Sequence, residues 1–288
     1  YQEHEGDIVA IIEAACCAHE THTLAGEDYR LTLFNLDDPY SQQLMAMRTD
    51  IAWIGYTLNS TNNPHAQVSV TNYKLTEQGV EFRVETEWGS WNQCLPLFGQ
   101  FNISNVLAVI SVLGVMGYAA DQIEMAISSL TTVKGRMQCL GGNGLPSVMI
   151  DYAHTPDALQ RVLDSLRQHF SGKVWCLFGC GGDRDRSKRQ LMAAIADRYA
   201  DQVIVTTDNC RLESTDVILA DIERGFQQKA EVKTIRDRKQ AIAYAVQSAE
   251  IDDIVLIAGK GHEETQSIGG VVLPHSDFHE VVQALAYL

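Results

Sequence analysis

Four stretches of this chain carry more polar chemistry than folding alone demands: DYAHTPDAL (151–159), FGCGGDRDRSKR (178–189), TTDNCRLES (206–214) and AGKGHEE (258–264). In the second, Gly179, Gly181 and Gly182 permit a tight turn and close backbone approach to a ligand. Arg184, Arg186, Lys188 and Arg189 follow at the start of a helical pattern, where free N–H groups and the helix dipole favour negative charge. The stretch reads as an anion-binding site; a solvated basic face after an ordinary turn is the alternative. In the first stretch Thr155 suits an N-cap, Pro156 the first helical turn, and Leu159, Val162, Leu163 and Leu166 form an apolar stripe. That leaves Asp151 and His154 without a folding duty. The third offers Asp208, Asn209 and Arg211, and the fourth GKGHEE from Gly259 to Glu264. Each alone suits a capped loop, because Asp and Asn favour turns. Four consecutive strand ends so equipped read as one shared site.

The elements that would position these residues alternate. After residue 140, strands SVMIDYA, KVWCLFG, DQVIVTT and DIVLIAG are separated by helical segments near 155–169, 187–199, 214–228 and 237–249. Such βαβ periodicity predicts an α/β fold with an open parallel sheet, which binds ligands beyond the carboxyl ends of its strands. Before it, YRLTLFNL, IAWIGYTL, QVSVTNYKL and VEFRVETEW read as short strands. Residues 101–130 read as two helices, the first starting near Asn102 or Ser104 and ended by Gly117. GGNGLPS (141–147) reads as the linker, giving domains 1–140 and 141–288.

The composition, 45% hydrophobic and 20% charged over 288 residues, suits two globular cores. A formal net charge of −15 argues against a nucleic-acid partner, so an anionic ligand needs local cations such as those at 184–189. Seven cysteines without a C-x-x-C pair argue against a zinc site or a secreted disulfide framework. No signal peptide or long apolar run is present, so the expectation is a cytoplasmic monomer without membrane insertion.

In order and spacing, these four motifs resemble the C-terminal domain of the Mur ligases, most closely the MurE branch. That branch adds meso-diaminopimelate to UDP-N-acetylmuramoyl-L-alanyl-D-glutamate in peptidoglycan synthesis, which serves cell shape and division. GQFNISN (99–105) and KGRMQ (134–138) resemble the later part of the family's central ATPase domain. The resemblance implies a Rossmann-like C-terminal domain preceded by part of that central domain, and an ATP- and Mg²⁺-dependent amide ligase. A carboxylate is phosphorylated and the amine then attacks the acyl phosphate. By the same resemblance, Asn102, Arg136, Asp151 and His154 face the nucleotide. Arg184, Asp208, Asn209, Arg211, Gly259 and Glu263 hold meso-diaminopimelate, with Arg211 gripping its distal carboxylate and Glu263 pairing with its ammonium.

The sequence departs from that family in several places. No G-x-x-x-x-G-K-[ST] occurs, and residues 1–17 align weakly with the segment that precedes the family's carbamylated lysine: Gly6 and Asp7 fit, Tyr1 replaces a histidine and Ala15 the lysine. No catalytic residue or metal ligand is therefore assigned, and the isolated chain is expected to be inactive. Cys210 replaces a proline, which questions the stiffness of its loop, and Phe278 stands where arginine is common. A non-catalytic binding module derived from a Mur ligase is an alternative reading. So is a folylpolyglutamate-synthase-like ligase, against which DNCR and GKGHEE count.

Overall fold

The structure, a computed structural model, describes residues 31–47, 52–227 and 230–288; the segment 1–17 lies outside them. The chain divides after Thr131 into two compact units.

In the first unit, strands β1 (Leu31–Asn35), β2 (Ala52–Thr57), β3 (Val68–Thr76), β4 (Gly79–Thr86) and β5 (Gly89–Leu95) form one sheet in that order. β1, β2 and β3 pair in parallel, and β3, β4 and β5 pair antiparallel. Alternation explains the buried face: on β5, Trp91, Gln93 and Leu95 are buried while Ser90, Asn92 and Cys94 are exposed. Val68, Val80, Phe82 and Val84 then pack with Ile103, Leu107 and Ile110 of α2 (Gln100–Val115) and Ile123 and Ile127 of α3 (Ala120–Ser128). Gly117, at φ +86°, follows α2 as expected. A further helix, α1 (Pro39–Met47), was not read from the sequence; its Tyr40, Leu44 and Met47 follow helical spacing but are exposed.

The second unit holds a six-stranded sheet in the order β10-β9-β8-β11-β7-β6, comprising β6 (Gln138–Gly142), β7 (Leu145–Asp151), β8 (Val174–Phe178), β9 (Gln202–Val205), β10 (Glu231–Thr234) and β11 (Ile254–Ala258). All pairings are parallel except β6–β7. The four expected strands therefore lie in one parallel sheet. Val174 to Phe178 and Ile254 to Ala258 are buried throughout, which explains their unbroken apolar runs. α7 (Arg238–Ser248) and α8 (Asp277–Leu285) cover one face, with Ile242, Val246 and Val281 packed on Ile150, Leu177 and Ile257. On the other face α4 (Pro156–His169) lies against β8 and β11, beside α5 (Ser187–Tyr199), which in turn meets α6 (Thr215–Glu223). The hairpin β12 (Thr265–Ile268) and β13 (Val271–Pro274) completes the described elements.

Residues 141–147, read as a linker, instead turn the β6–β7 hairpin. Gly142 pairs with Leu145, and Asn143 and Gly144 both have positive φ (+54° and +97°). That is the Asn-Gly turn whose backbone twist matches two antiparallel strands. β6 thereby belongs to the second sheet, and KGRMQ lies in the second unit rather than in the first. Among the described residues, no helix is long and apolar enough to cross a membrane.

Candidate functional site: the carboxyl edge of the second sheet

From β8 the chain steps outward through β9 to β10 and returns to place β11 between β8 and β7. The reversal opens a crevice between the loops that leave β8 and β11, where doubly wound sheets bind ligands. Gly179 to Arg189 leave β8, Thr206 to Arg211 leave β9, and Gly259 to Glu263 leave β11.

These loops interlock through their backbones. Gly182 N–H donates to Asn209 O (2.9 Å), and a Cβ built on Gly182 would lie 2.0 Å from Cys210 O. Gly259, at φ +114°, approaches Asp208 so closely that a Cβ would lie 2.7 Å from Asp208 Oδ2. Arg211 adopts φ +53°, a left-handed conformation that costs a non-glycine residue on the order of 1–3 kcal/mol. Its N–H donates to Ser267 O (3.0 Å), its carbonyl accepts from Gly270 N–H (3.0 Å), and Nη1 donates to Gly182 O (2.8 Å). Arg211 Nε and Nη2 make no hydrogen bond among the described residues, which leaves donors for a ligand. A Cβ on Gly181 would meet Arg211 Nη1, Asn209 O and Arg184 Cγ at 3.0, 3.7 and 3.8 Å, so Arg184 joins the cluster.

Cys210 is buried, and its N–H, which proline lacks, donates to Asp208 O (2.9 Å). Phe278 packs its ring against the core under α7 and α8, an apolar duty for a position read as an arginine substitute.

Asp208, Asn209 and Glu263 meet around Lys260, which the motif reading passed over. Lys260 Nζ donates to Glu263 Oε2 (2.8 Å) and Asn209 Oδ1 (3.2 Å), and Asn209 Nδ2 donates to Glu263 Oε2 (2.9 Å). A buried lysine is rare unless paired, so GKGHE offered a faint signal, but only the fold shows that its head turns inward.

The basic stretch is corrected in part. Arg189 is buried and bonds Glu213 (2.6 and 2.8 Å) and Asp221 (2.9 Å), while Arg186 bonds Asp221 (2.7 and 3.0 Å). Hydrogen bonds from Arg189 and Arg186 hold the Glu213 and Asp221 carboxyls below their ordinary values. These two arginines therefore brace α5 against α6. At the start of α5, Asp185 Oδ1 accepts from Ser187 N–H (3.0 Å) and Oγ (2.7 Å), so a protein carboxylate already occupies it. Arg184 is exposed and makes no ion pair among the described residues.

The residues expected to face a nucleotide are divided between the two units. Asn102 lies in the first unit, where Nδ2 donates to Phe98 O (2.7 Å) and Oδ1 accepts from Asn105 Nδ2 (3.2 Å) at the start of α2. Arg136, Asp151 and His154 lie in the second. The Arg136 guanidinium stacks 4.7 Å from the Tyr152 ring centre, and Tyr152 lies between the His154 and His262 rings at 4.6 and 5.8 Å. Asp151 does have a folding duty: its two oxygens accept from Met137 N–H and Ala153 N–H, each at 2.8 Å. Burial pushes its carboxyl above the ordinary value, and those two bonds oppose the rise. Among the described residues no group of three or more His, Cys, Asp and Glu side chains is arranged to hold a metal.

The chain matches the family described as "Mur ligase, glutamate ligase domain" over residues 135–261 and "Mur ligase middle domain" over 8–113. The chain belongs to the Mur ligases. It is 46% identical over 253 residues to the UDP-N-acetylmuramoyl-L-alanyl-D-glutamate--2,6-diaminopimelate ligase of Coxiella burnetii, covering 87% of this chain and 52% of that protein. A solved structure of a ligase of the same name superposes with a TM-score of 0.69 at 31% identity, covering 93% of this chain and 58% of that one. The Mur ligase chain thus spans about half the length of the curated relatives it matches. Folylpolyglutamate synthase of Mycobacterium tuberculosis, solved with ADP and AMPPCP, gives a TM-score of 0.61 at 19% identity over 83% of this chain and 54% of that one, a likeness of fold alone.

Proposed function

We propose that this Mur ligase chain serves, in the cytoplasm, an ATP-dependent amide ligase that joins meso-diaminopimelate to UDP-N-acetylmuramoyl-L-alanyl-D-glutamate, and that its second unit holds the amino acid. One observation carries the reading: Arg184, Asp208, Asn209, Arg211, Gly259 and Glu263 converge at the switch point of the sheet, with Arg211 held in a left-handed conformation by two backbone bonds and one bond from its guanidinium to Gly182 O. Arg211 keeps Nε and Nη2 for the distal carboxylate, a planar fork that an ammonium cannot reproduce. Glu263 Oε2 is already bonded to Lys260 and Asn209, so Oε1 is the atom offered to the distal ammonium. In the same unit Asp151 would accept from a ribose hydroxyl, and Arg136 with His154 would flank the nucleotide. ATP would phosphorylate the substrate carboxylate, and cationic side chains such as Arg184 would stabilise the charge that develops.

Titration calorimetry of the 288-residue chain with meso-diaminopimelate and L-lysine tests this. A charge-assisted pair of about 1.5–3 kcal/mol predicts a preference of roughly 10- to 150-fold for diaminopimelate. Arg211→Ala should erase most of it and Arg211→Lys should restore part. Equal affinities in the unmutated chain would refute the assignment.

A further inference from the structure

Lys260 is the cation at the centre of this site, and the amino-acid-binding assignment gives it no role. Its side chain is 0% exposed, 2.8 Å from Glu263 Oε2, 3.2 Å from Asn209 Oδ1 and 3.9 Å from Asp208 Oδ1. A buried ammonium is tolerated only when its charge is compensated and its donors are satisfied. Here Glu263 and Asn209 accept hydrogen bonds from the ammonium, and the Glu263 and Asp208 carboxylates compensate its charge; all three are residues assigned to the amino acid.

Two consequences follow from the geometry. The first is orientation. Asn209 Oδ1 accepts from Lys260 Nζ and from Ser267 N–H (2.9 Å), and this turns Asn209 Nδ2 toward Glu263 Oε2. With the amide reversed, both donors would face an NH₂ group and Glu263 would face an oxygen. The second is charge. Asp208 and Glu263 bring two negative charges together, and the Lys260 ammonium lies 3.9 Å from the first and 2.8 Å from the second. Removing the ammonium takes the positive charge from beside both carboxylates, and the more negative local potential disfavours a ligand carboxylate and favours a cationic amino acid.

We propose that Lys260 is a specificity-determining positioning residue: it fixes the Asn209 amide and neutralises the Asp208–Glu263 pair, so that the site takes an amino acid with a distal carboxylate over a cationic one. This rests on the reading that the second unit binds meso-diaminopimelate. Lys260→Met removes the charge and the donors at similar length, while Lys260→Gln removes the charge and keeps a donor. In calorimetric titrations of the 288-residue chain, both variants should lower the ratio of diaminopimelate to lysine affinity by about tenfold, and Lys260→Arg should lower it less. A merely structural role would weaken both amino acids alike; an unchanged ratio in Lys260→Gln overturns the proposal. A second readout needs no ligand. Amide exchange at Ser267 should accelerate in Lys260→Met, because Asn209 is then free to reverse, and unchanged protection in a folded variant also overturns the proposal. If the unmutated chain binds neither amino acid, the functional reading fails on its own, and Ser267 exchange still decides whether Lys260 orients Asn209.

Discussion

At Arg189 the guanidinium is 1% exposed and bound to two carboxylates, although its place in a run of four cations after a glycine turn suggested an anion site. Residue type and spacing could not separate it from Arg184, because the carboxylates that claim it come from Glu213 and Asp221, 24 and 32 residues away. The same holds for Arg238, which no motif marked. It is buried, pairs with Asp277 through two bonds (2.7 and 2.8 Å), and donates to Ala258 O (3.0 Å) at the end of β11. Burial alone would raise the Asp277 carboxyl, but Arg238 and His275 outweigh it and hold it well below the usual carboxylate range. A folded-state value below the unfolded one stabilises the fold above the unfolded pKa of about 3.9, and that contribution is lost as pH falls through the folded value. Asp277→Asn, which leaves Arg238 buried without its counter-charge, should therefore cost on the order of 3–5 kcal/mol near neutral pH. Urea denaturation of both proteins from pH 7 down to pH 3 should show the gap narrowing below about pH 4. A gap that stays constant would contradict the pairing.

Among elements, the long apolar strands and the capped helix α4 were legible because their signals are local. Thr155 Oγ1 accepts from Ala158 N–H (3.4 Å), and Leu159, Leu163 and Leu166 are fully buried, as the 3.6-residue spacing required. β6, β10 and the β12–β13 hairpin were not read. β10 is four residues long and largely exposed, and β13 is exposed throughout, so neither carries a periodic pattern. The loops that build the site depend on glycines whose need is tertiary. Gly259→Ala combines an unfavourable φ with a Cβ 2.7 Å from Asp208 Oδ2. This substitution should weaken diaminopimelate binding by roughly tenfold or more, since strain of about 1–3 kcal/mol must be relieved by moving Asp208. Gly144→Ala has positive φ but nothing within 4 Å, so it should cost stability without touching amino-acid affinity. Calorimetry and thermal melts on the two variants separate these effects; equal affinities would show that the loop gives way easily.

For the whole molecule, the two units carry separate cores, one around Phe82 and Ile110 and the other around Leu177 and Ile257. Residues 132–288 should therefore fold when expressed alone and unfold in one cooperative transition, measurable by circular dichroism. A boundary placed at residue 141 would strip β6 from the sheet and should give a less stable product. The 288-residue chain should not hydrolyse ATP, because no G-x-x-x-x-G-K-[ST] supplies amides and a lysine for the β- and γ-phosphates. Turnover that disappears in Arg136→Ala would show that other groups replace that loop.

Sequence by itself determined the α/β class, the four parallel strands, the helix between each pair and the motifs that lie at the strand ends. Those features rest on hydrophobic period, caps and glycine, which act over a few residues. Only the tertiary structure decided that 141–147 is a hairpin, that Arg186 and Arg189 are braces, and that Asp151 carries two backbone bonds. Lys260 shows the reason most directly. Its partner Glu263 is three residues away, but Asn209 and Asp208 are brought to it from β9 only because β11 returns beside β8. Burial converts an ordinary loop lysine into the charge around which the site is arranged.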